Sequence, residues 1–406
     1  MVGFDDNMRL RCMVCGETYK PDPTLFRCPR CGGLLEVEYT RLPGVLATSG
    51  VGVWRYSPLL PRSATRVTLG EGLTPLVDVA GARGVYVKFE GANPTGSFKD
   101  RGMAVAVSLA RDAGARVVLA ASTGNTSASA SAYARRAGLE PVIVLPRGRI
   151  ARGKLFQAVL HGATVVEVEG SFDDALAAVM RFSREAGGVV YPVNSFNQWR
   201  LEGQKTLAYE VVEQLGYAPD YVFVPVGNAG NIYAIWRGFK DMYAMGIIDE
   251  LPVMIGVQAA GAAPLARMLA KGLREPEWVE KPETVATAIR IGKPVNWMRA
   301  LKAVRESGGT IIEVSDREIL GAQLRLARET GLGVEPASAA SMAGYLRLRD
   351  KIPKGSETVL VATGHALKDP DVPLEFKPFR AGSPSEAVAI LREIVEGRRL
   401  GEQVEA

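Results

Sequence analysis

Along the chain, short β-branched apolar runs alternate with longer stretches of helical periodicity from about residue 85 onward. The runs 85–89, 117–121, 142–145, 164–168, 189–193, 221–226, 254–258, 310–314 and 358–363 are apolar at successive rather than alternate positions. That pattern predicts strands covered on both faces. Between them, the amphipathic or Ala-rich stretches 102–113, 126–137, 172–185, 201–215 and 316–330 predict helices. Strands alternating with helices imply right-handed βαβ units around parallel sheets. Nine strands are many for one compact parallel sheet, so two α/β lobes are expected. The Gly- and Pro-rich segment 41–75 reads as a linker into the first lobe, and 256–264 has the composition of a loop able to close over a ligand. A last helix, 385–398, leads into a charged tail.

Composition adds limits. Hydrophobic residues make up 47% and charged residues 23%, ordinary values for a globular chain. No apolar run reaches the length of a membrane-spanning helix, and the polar, acidic start Met1–Arg9 does not resemble a secretory leader. The net charge of +5 suits a small phosphorylated partner, and neither nucleic acid nor membrane is expected. All four cysteines lie between positions 12 and 31. A disulfide-stapled secreted protein would spread them along the chain, so the cytosol is the expected compartment.

The cysteines form two pairs, Cys12-x2-Cys15 and Cys28-x2-Cys31, with twelve residues between them, each pair followed by glycine (Gly16, and Gly32 with Gly33). Two such knuckles aim four thiolates at one point, the ligand set of a closed, structural Zn²⁺ site. A segment of about 30 residues needs such a staple, because its own core is too small to fold. Redox-active CxxC pairs and an iron–sulfur site are the alternatives.

Four further segments follow predicted strands, where open α/β sheets gather their ligands. In Asn93-Pro-Thr-Gly-Ser-Phe-Lys99-Asp-Arg-Gly102, Lys99 opens a helix, at the end of the dipole that disfavours a cation. Its structural alternative is an ordinary surface lysine. A lysine that forms an imine has lost or delocalised that charge. In Ala121-Ser-Thr-Gly-Asn-Thr-Ser127, Ser122 and Thr123 supply free N–H groups for a carboxylate, and Asn125 a neutral amide for a phenolic oxygen. A capped helix in a Ser-rich loop is the plain alternative. Gly227-Asn228-Ala229-Gly230-Asn231 suits a phosphate cradle without being a Walker or GxGxxG motif. After the last strand, Thr363 is placed to meet a pyridine nitrogen. Nearby His365 is either a base or a loop-orienting residue, and His161 is read as a helix residue.

Together, Ser97–Gly102, Gly124–Thr126, Gly227–Asn231 and Thr363 resemble the fold-type II pyridoxal-5′-phosphate (PLP) enzymes, the tryptophan synthase β-like fold. Gly70-Glu-Gly-Leu-Thr-Pro75, Asn93–Lys99, Glu335-Pro-Ala-Ser-Ala-Ala340 and Thr363-Gly-His-Ala-Leu-Lys-Asp369 are similar to the threonine synthase family in particular, including its shorter forms with an N-terminal cysteine ribbon. Ala366 stands where that family usually has glycine.

The resemblance implies that Lys99 carries PLP as a Schiff base and shuttles protons. Asn125 would bond the cofactor 3′-oxygen, Gly227, Asn228, Ala229, Gly230 and Asn231 its phosphate, and Thr363 its ring nitrogen. Asn194, Ser195, Arg200 and Asn228 would hold a substrate phosphate, with Lys205 downstream. The implied reaction converts O-phospho-L-homoserine and water to L-threonine and phosphate in a homodimer. Rivals within the class are β-replacement on O-phosphoserine (cysteine or cysteate synthase) and serine/threonine dehydration. A rival outside it is a zinc-ribbon regulatory protein built on a dead enzyme. The expected division is a ribbon (1–40), a large PLP-binding lobe (41–90 and 200–380), a small lobe (91–199) and a C-terminal helix and tail (381–406).

Overall fold

The computed structural model describes residues 7–122, 124–147, 152–170, 172–370, 375–376, 378–396 and 404–405. Residues up to Asp369 form one compact unit and those from Pro370 another. Among the described residues, the first contains three sheets. The largest has six strands in the order Thr310–Val314, Val253–Ala259, Tyr221–Pro225, Thr358–Ala362, Ala82–Phe89, Leu76–Val79. Neighbours run parallel except the last pair, so the sheet is mixed. A second sheet orders Thr164–Val168, Glu140–Pro146, Val117–Ala121 and Val190–Pro192, all parallel. All nine predicted strands are present with edges moved by a few residues; the antiparallel edge strand Leu76–Val79 was not foreseen.

Successive residues of a strand point to opposite faces, which explains the unbroken apolar runs. In Tyr221–Pro225, Val222 and Val224 pack with Ile232, Ile235, Trp236 and Phe239 of helix Gly230–Ala244. Phe223 joins Ala337, Ala340 and Met342 of helix Pro336–Leu348 on the other side.

The cysteine segment forms a small antiparallel sheet, Thr18–Tyr19 beside Met8–Cys12 beside Leu35–Tyr39. Its Leu10, Leu35 and Val37 enter the same core as Met103 and Trp199. The second unit holds helix Pro384–Val395, capped by Ser383, whose hydroxyl accepts from the Glu386 N–H at 3.2 Å. Its short strands Glu375–Phe376 and Val404–Glu405 pair antiparallel.

Three expectations need correction. Segment 41–75 is no linker: the 3-10 helix Gly52–Leu59 buries Val53, Trp54, Tyr56 and Leu59, and Trp54 Nε1 donates to the Val67 carbonyl at 2.8 Å. The predicted helix 201–215 is two helices, Trp199–Gln204 and Thr206–Leu215, meeting at Lys205. Segment 256–264 is no lid. Its first half completes strand Val253–Ala259, and a Cβ at Gly261 would fall 1.7 Å from the Glu283 carbonyl oxygen, so the backbone there is packed tight.

Candidate active site

Three adjacent parallel strands of the large sheet each end in a predicted site segment. Ala82–Phe89 leads, through the short turn Glu90–Ala92, to Lys99 at the start of helix Lys99–Asp112. Its neighbour Thr358–Ala362 ends at Thr363, and Tyr221–Pro225 ends in the Gly227–Asn231 loop. Backbone bonds tie the first two segments together: Phe98 N–H donates to the Thr363 carbonyl at 3.0 Å and His365 N–H to the Gly96 carbonyl at 2.9 Å. The Thr363 hydroxyl lies 3.0 Å from that of Ser338.

Two strands of the small sheet supply the rest. Ser122 and Asn125 follow Val117–Ala121, and Asn194 and Ser195 follow Val190–Pro192. The Asn194 amide bonds both backbone groups of Ala121, at 3.0 and 2.8 Å, and so locks the two strand ends together. Asn125 Nδ2 donates to Glu335 Oε1 at 2.8 Å, across 210 residues of sequence. The Ser122 hydroxyl accepts from the Gly124 N–H at 3.2 Å. Thr123 lies outside the described residues.

Burial sets the electrostatics. It lowers the Lys99 amine to about 7, with the Arg200 charge pushing the same way and Glu335 opposing. It raises the Glu335 carboxyl to about 7 against the Asn125 hydrogen bond, and lowers Arg200 to about 10. Arg200 is 3% exposed; its Nη1 donates to the Val193 carbonyl at 2.9 Å, while its Nε has no partner among the described residues. Asp100, next to Lys99, accepts from the Thr95 N–H and hydroxyl and from the Ser129 hydroxyl at 2.6–2.7 Å, which fixes the turn before the helix.

The residues present fit PLP. Both side-chain atoms of Asn231 and the Ser97 hydroxyl are buried without a partner among the described residues, a condition proteins avoid unless something else bonds them. Ala229 adopts a left-handed conformation, φ +66°, at the start of the 15-residue helix Gly230–Ala244, a backbone turned to present N–H groups to an anion. A half-neutral Lys99 suits capture of an aldehyde.

Not every expected residue serves the site. Lys205 is fully buried against Glu202 at 2.7 Å and Asp241 at 3.0 Å, so its charge is engaged away from any phosphate. His365 Nδ1 accepts from the Leu367 N–H at 3.1 Å and caps a short turn, which favours the loop-orienting reading. Sequence reasoning assigned no role to Glu335 or Ser338, although both stood in a quoted motif.

In the ribbon, Sγ distances are 3.4 Å for Cys12–Cys31, 3.6 Å for Cys15–Cys28 and 3.4 Å for Cys15–Cys31, and all four atoms lie within 4.8 Å of one another. A tetrahedron with Zn–S bonds of about 2.3 Å has edges of roughly 3.8 Å. Gly16 and Gly32 take φ of +74° and +73°, the left-handed turns that two knuckles need.

Comparison with known proteins agrees with this geometry. The family "Pyridoxal-phosphate dependent enzyme" matches residues 67–364, and the chain belongs to it, with the fold of the type II members. The threonine synthase of Methanosarcina acetivorans is 47% identical over 380 residues, 90% of this chain and 93% of that protein. That of Methanocaldococcus jannaschii is 48% identical over 382 residues, 90% and 94% of the two chains. Threonine synthase from Escherichia coli shares the fold at a TM-score of 0.69 and 22% identity, covering 89% of each chain. Within its class, the chain is a member of the threonine synthase family.

Proposed function

We propose that the chain converts O-phospho-L-homoserine and water to L-threonine and phosphate. The observation that carries this is Arg200, a buried cation with no carboxylate in ion-pair reach among the described residues and one N–H group unbonded. It lies close enough to Lys99 to depress that amine. A cation so placed calls for an anion. The Gly227–Asn231 loop serves the cofactor phosphate, so Arg200, with Asn194, Ser195 and Asn228, answers to a second phosphate, on the substrate. Serine and threonine carry none, which disfavours dehydration.

PLP, when bound, supplies the electron sink for carbanion character at the substrate carbons. The chain's own residues bind, orient and move protons. Lys99 takes the proton from Cα and then a second proton from Cβ, a role suited to an amine near 7. Asn125, oriented by Glu335, would hold the cofactor 3′-oxygen, and the neutral hydroxyl of Thr363, set by Ser338, would meet its ring nitrogen. Ser122 and Thr123 receive the substrate carboxylate. Phosphate leaves Cγ, which gains a proton; hydroxyl from water enters at Cβ, and Cα is reprotonated. Four thiolates at the spacings above support one structural Zn²⁺ per chain; metal analysis finding none, with all four thiols freely titratable, would refute it. A cytosolic homodimer with a large and a small lobe completes the reading. Among the described residues, no helix is long and apolar enough to cross a membrane.

The test is to supply O-phospho-L-homoserine to the PLP-loaded protein and to measure phosphate and L-threonine, with O-phospho-L-serine plus sulfide or sulfite alongside. Equal release of phosphate and threonine supports the reading. Turnover of the serine ester alone moves the enzyme to β-replacement. Arg200→Ala is expected to lower kcat/KM at least about a hundredfold while PLP stays bound, the scale of a buried charged hydrogen bond lost.

A further inference from the structure

Asn296 and Arg299 lie at the start of helix Trp297–Glu306, and each is 0% exposed. Asn296 touches both phosphate-holding regions. Its Nδ2 donates to the Ser195 carbonyl at 3.0 Å, and its backbone N–H to the Asn228 carbonyl at 3.1 Å. A Cβ on Gly230 would come within 3.3 Å of the same Nδ2, so the amide also fits against the start of helix Gly230–Ala244. Asn296 makes no side-chain cap bond to its own helix. Its amide nitrogen serves another segment.

The remaining amide atom is held by a side chain of the helix that follows it. Asn296 Oδ1 accepts from Arg299 Nη1 at 2.5 Å, and Arg299 Nη2 donates to the carbonyl of Leu35, in the last strand of the cysteine ribbon. Glu36, the next residue of that strand, accepts from Lys302 Nζ at 3.0 Å and from the Tyr233 hydroxyl. Arg299 stacks over Tyr233, makes no ion pair among the described residues, and its Nε has no partner among them. Burying a guanidinium on such terms is unfavourable compared with an apolar side chain of similar size. What the arginine provides that an apolar residue does not is two directed hydrogen bonds from one rigid plane. One ends on the ribbon, the other on Asn296.

We propose that Arg299 and Asn296 are positioning residues that couple the cysteine ribbon to the phosphate loops, so that phosphate binding and ribbon order stabilise each other. The inference rests on the reading that Ser195 and Asn228 hold the substrate phosphate. Ser195 and Asn228 follow strands of different sheets, and Asn296 fixes the spacing between their peptides. A ribbon strand that keeps Leu35 in place keeps Arg299 extended and Asn296 clamped. By linkage, a phosphate that tightens the loops must steady the strand by the same factor.

The test uses full-length, PLP-loaded protein in four forms: wild type, Arg200→Ala, Arg299→Met and Asn296→Ala. KM and kcat for O-phospho-L-homoserine are measured, followed by amide hydrogen exchange with and without inorganic phosphate at a concentration that halves turnover. In wild type, phosphate slows exchange in strand Leu35–Tyr39. In Arg299→Met and Asn296→Ala, KM rises about tenfold, the size of one lost charge-assisted hydrogen bond. Their kcat stays within about threefold, and phosphate no longer protects the ribbon strand. A merely structural residue would speed ribbon exchange equally with and without phosphate. Should Arg299→Met fail to fold, Asn296→Ala carries the same expectations. The proposal is overturned if phosphate leaves the wild-type ribbon strand unchanged, or protects it equally in the variants, or if KM moves only in Arg200→Ala. Absence of wild-type turnover, by contrast, would defeat the substrate reading itself.

Discussion

Lys99 and Glu335 carry opposite charges in free solution, yet burial drives both toward their neutral forms, each to about 7. For Lys99 the consequence is a reaction rate. Only the unprotonated amine captures an aldehyde, so the rate at which the apo-protein gains visible absorbance on mixing with PLP should rise through pH 7 and then level. Arg200 pushes this amine down and Glu335 pushes it up. Arg200→Ala should therefore move the inflection to higher pH, and Glu335→Gln to lower pH. Stopped-flow absorbance across pH 5.5–10 checks both directions, and Lys99→Ala should give no such absorbance. An inflection near the ordinary lysine value, unmoved by either variant, would mean that the amine is solvated. Lys99 itself was legible in the sequence because its motif is local. Glu335 and Ser338 were not, because their partners stand 210 and 25 residues away and only the folded chain brings them together.

At the scale of elements, the distance between Lys99 and Arg200 is set where helix Lys99–Asp112 crosses helix Trp199–Gln204. The crossing is made of two glycines. A Cβ on Gly203 would lie 1.9 Å from the Arg101 carbonyl oxygen, and one on Gly102 2.5 Å from that of Arg200. Gly203→Ala should cost about 2 kcal/mol or more through overpacking, and should raise KM for the phosphorylated substrate as the helices part. Gly321, exposed within helix Asp316–Thr330, has no atom of the described residues within 4 Å of a Cβ placed on it, its chain neighbours and its own helix backbone aside. Gly321→Ala should stabilise by about 0.5–1 kcal/mol on helix propensity alone. Urea unfolding of the two variants tests the contrast; equal shifts would show that the crossing is loose. Strands such as 310–314 and the helix 316–330 were read correctly because apolar runs and amphipathic periodicity are local signals. The break at Lys205 and the buried 3-10 helix Gly52–Leu59 were not, because both are imposed by what packs against them.

Across the whole molecule, the element that begins with Lys99 is anchored by a fully buried charge cluster. Arg101 pairs with Glu90 at 2.6 Å and with Glu210 at 2.6 Å, and Lys88 pairs with Glu210 at 2.8 Å. Glu210 also accepts from the Leu73 and Thr74 N–H groups. Two cations and two carboxylates thus join the Gly70–Pro75 loop, the large sheet, the Lys99 helix and helix Thr206–Leu215. Burial alone would raise the Glu210 carboxyl, but Arg101 and Lys88 hold it down at about 2. Glu210→Gln leaves one uncompensated buried positive charge and should destabilise by about 3–5 kcal/mol near neutral pH. Removing the surplus charge as well, in Glu210→Gln with Lys88→Met, should recover a large part of that loss. The sign of the pH dependence follows from linkage. A carboxyl whose folded pKa lies below its ordinary 4.5 contributes stability above that value, and the contribution fades as pH falls toward 2. The difference in Tm between wild type and Glu210→Gln should therefore be widest near pH 7 and narrow steadily between pH 4.5 and 2. A difference that stays constant over that range would mean that Glu210 acts by shape and neutral hydrogen bonds, and that the helix carrying Lys99 owes its position to packing instead of charge.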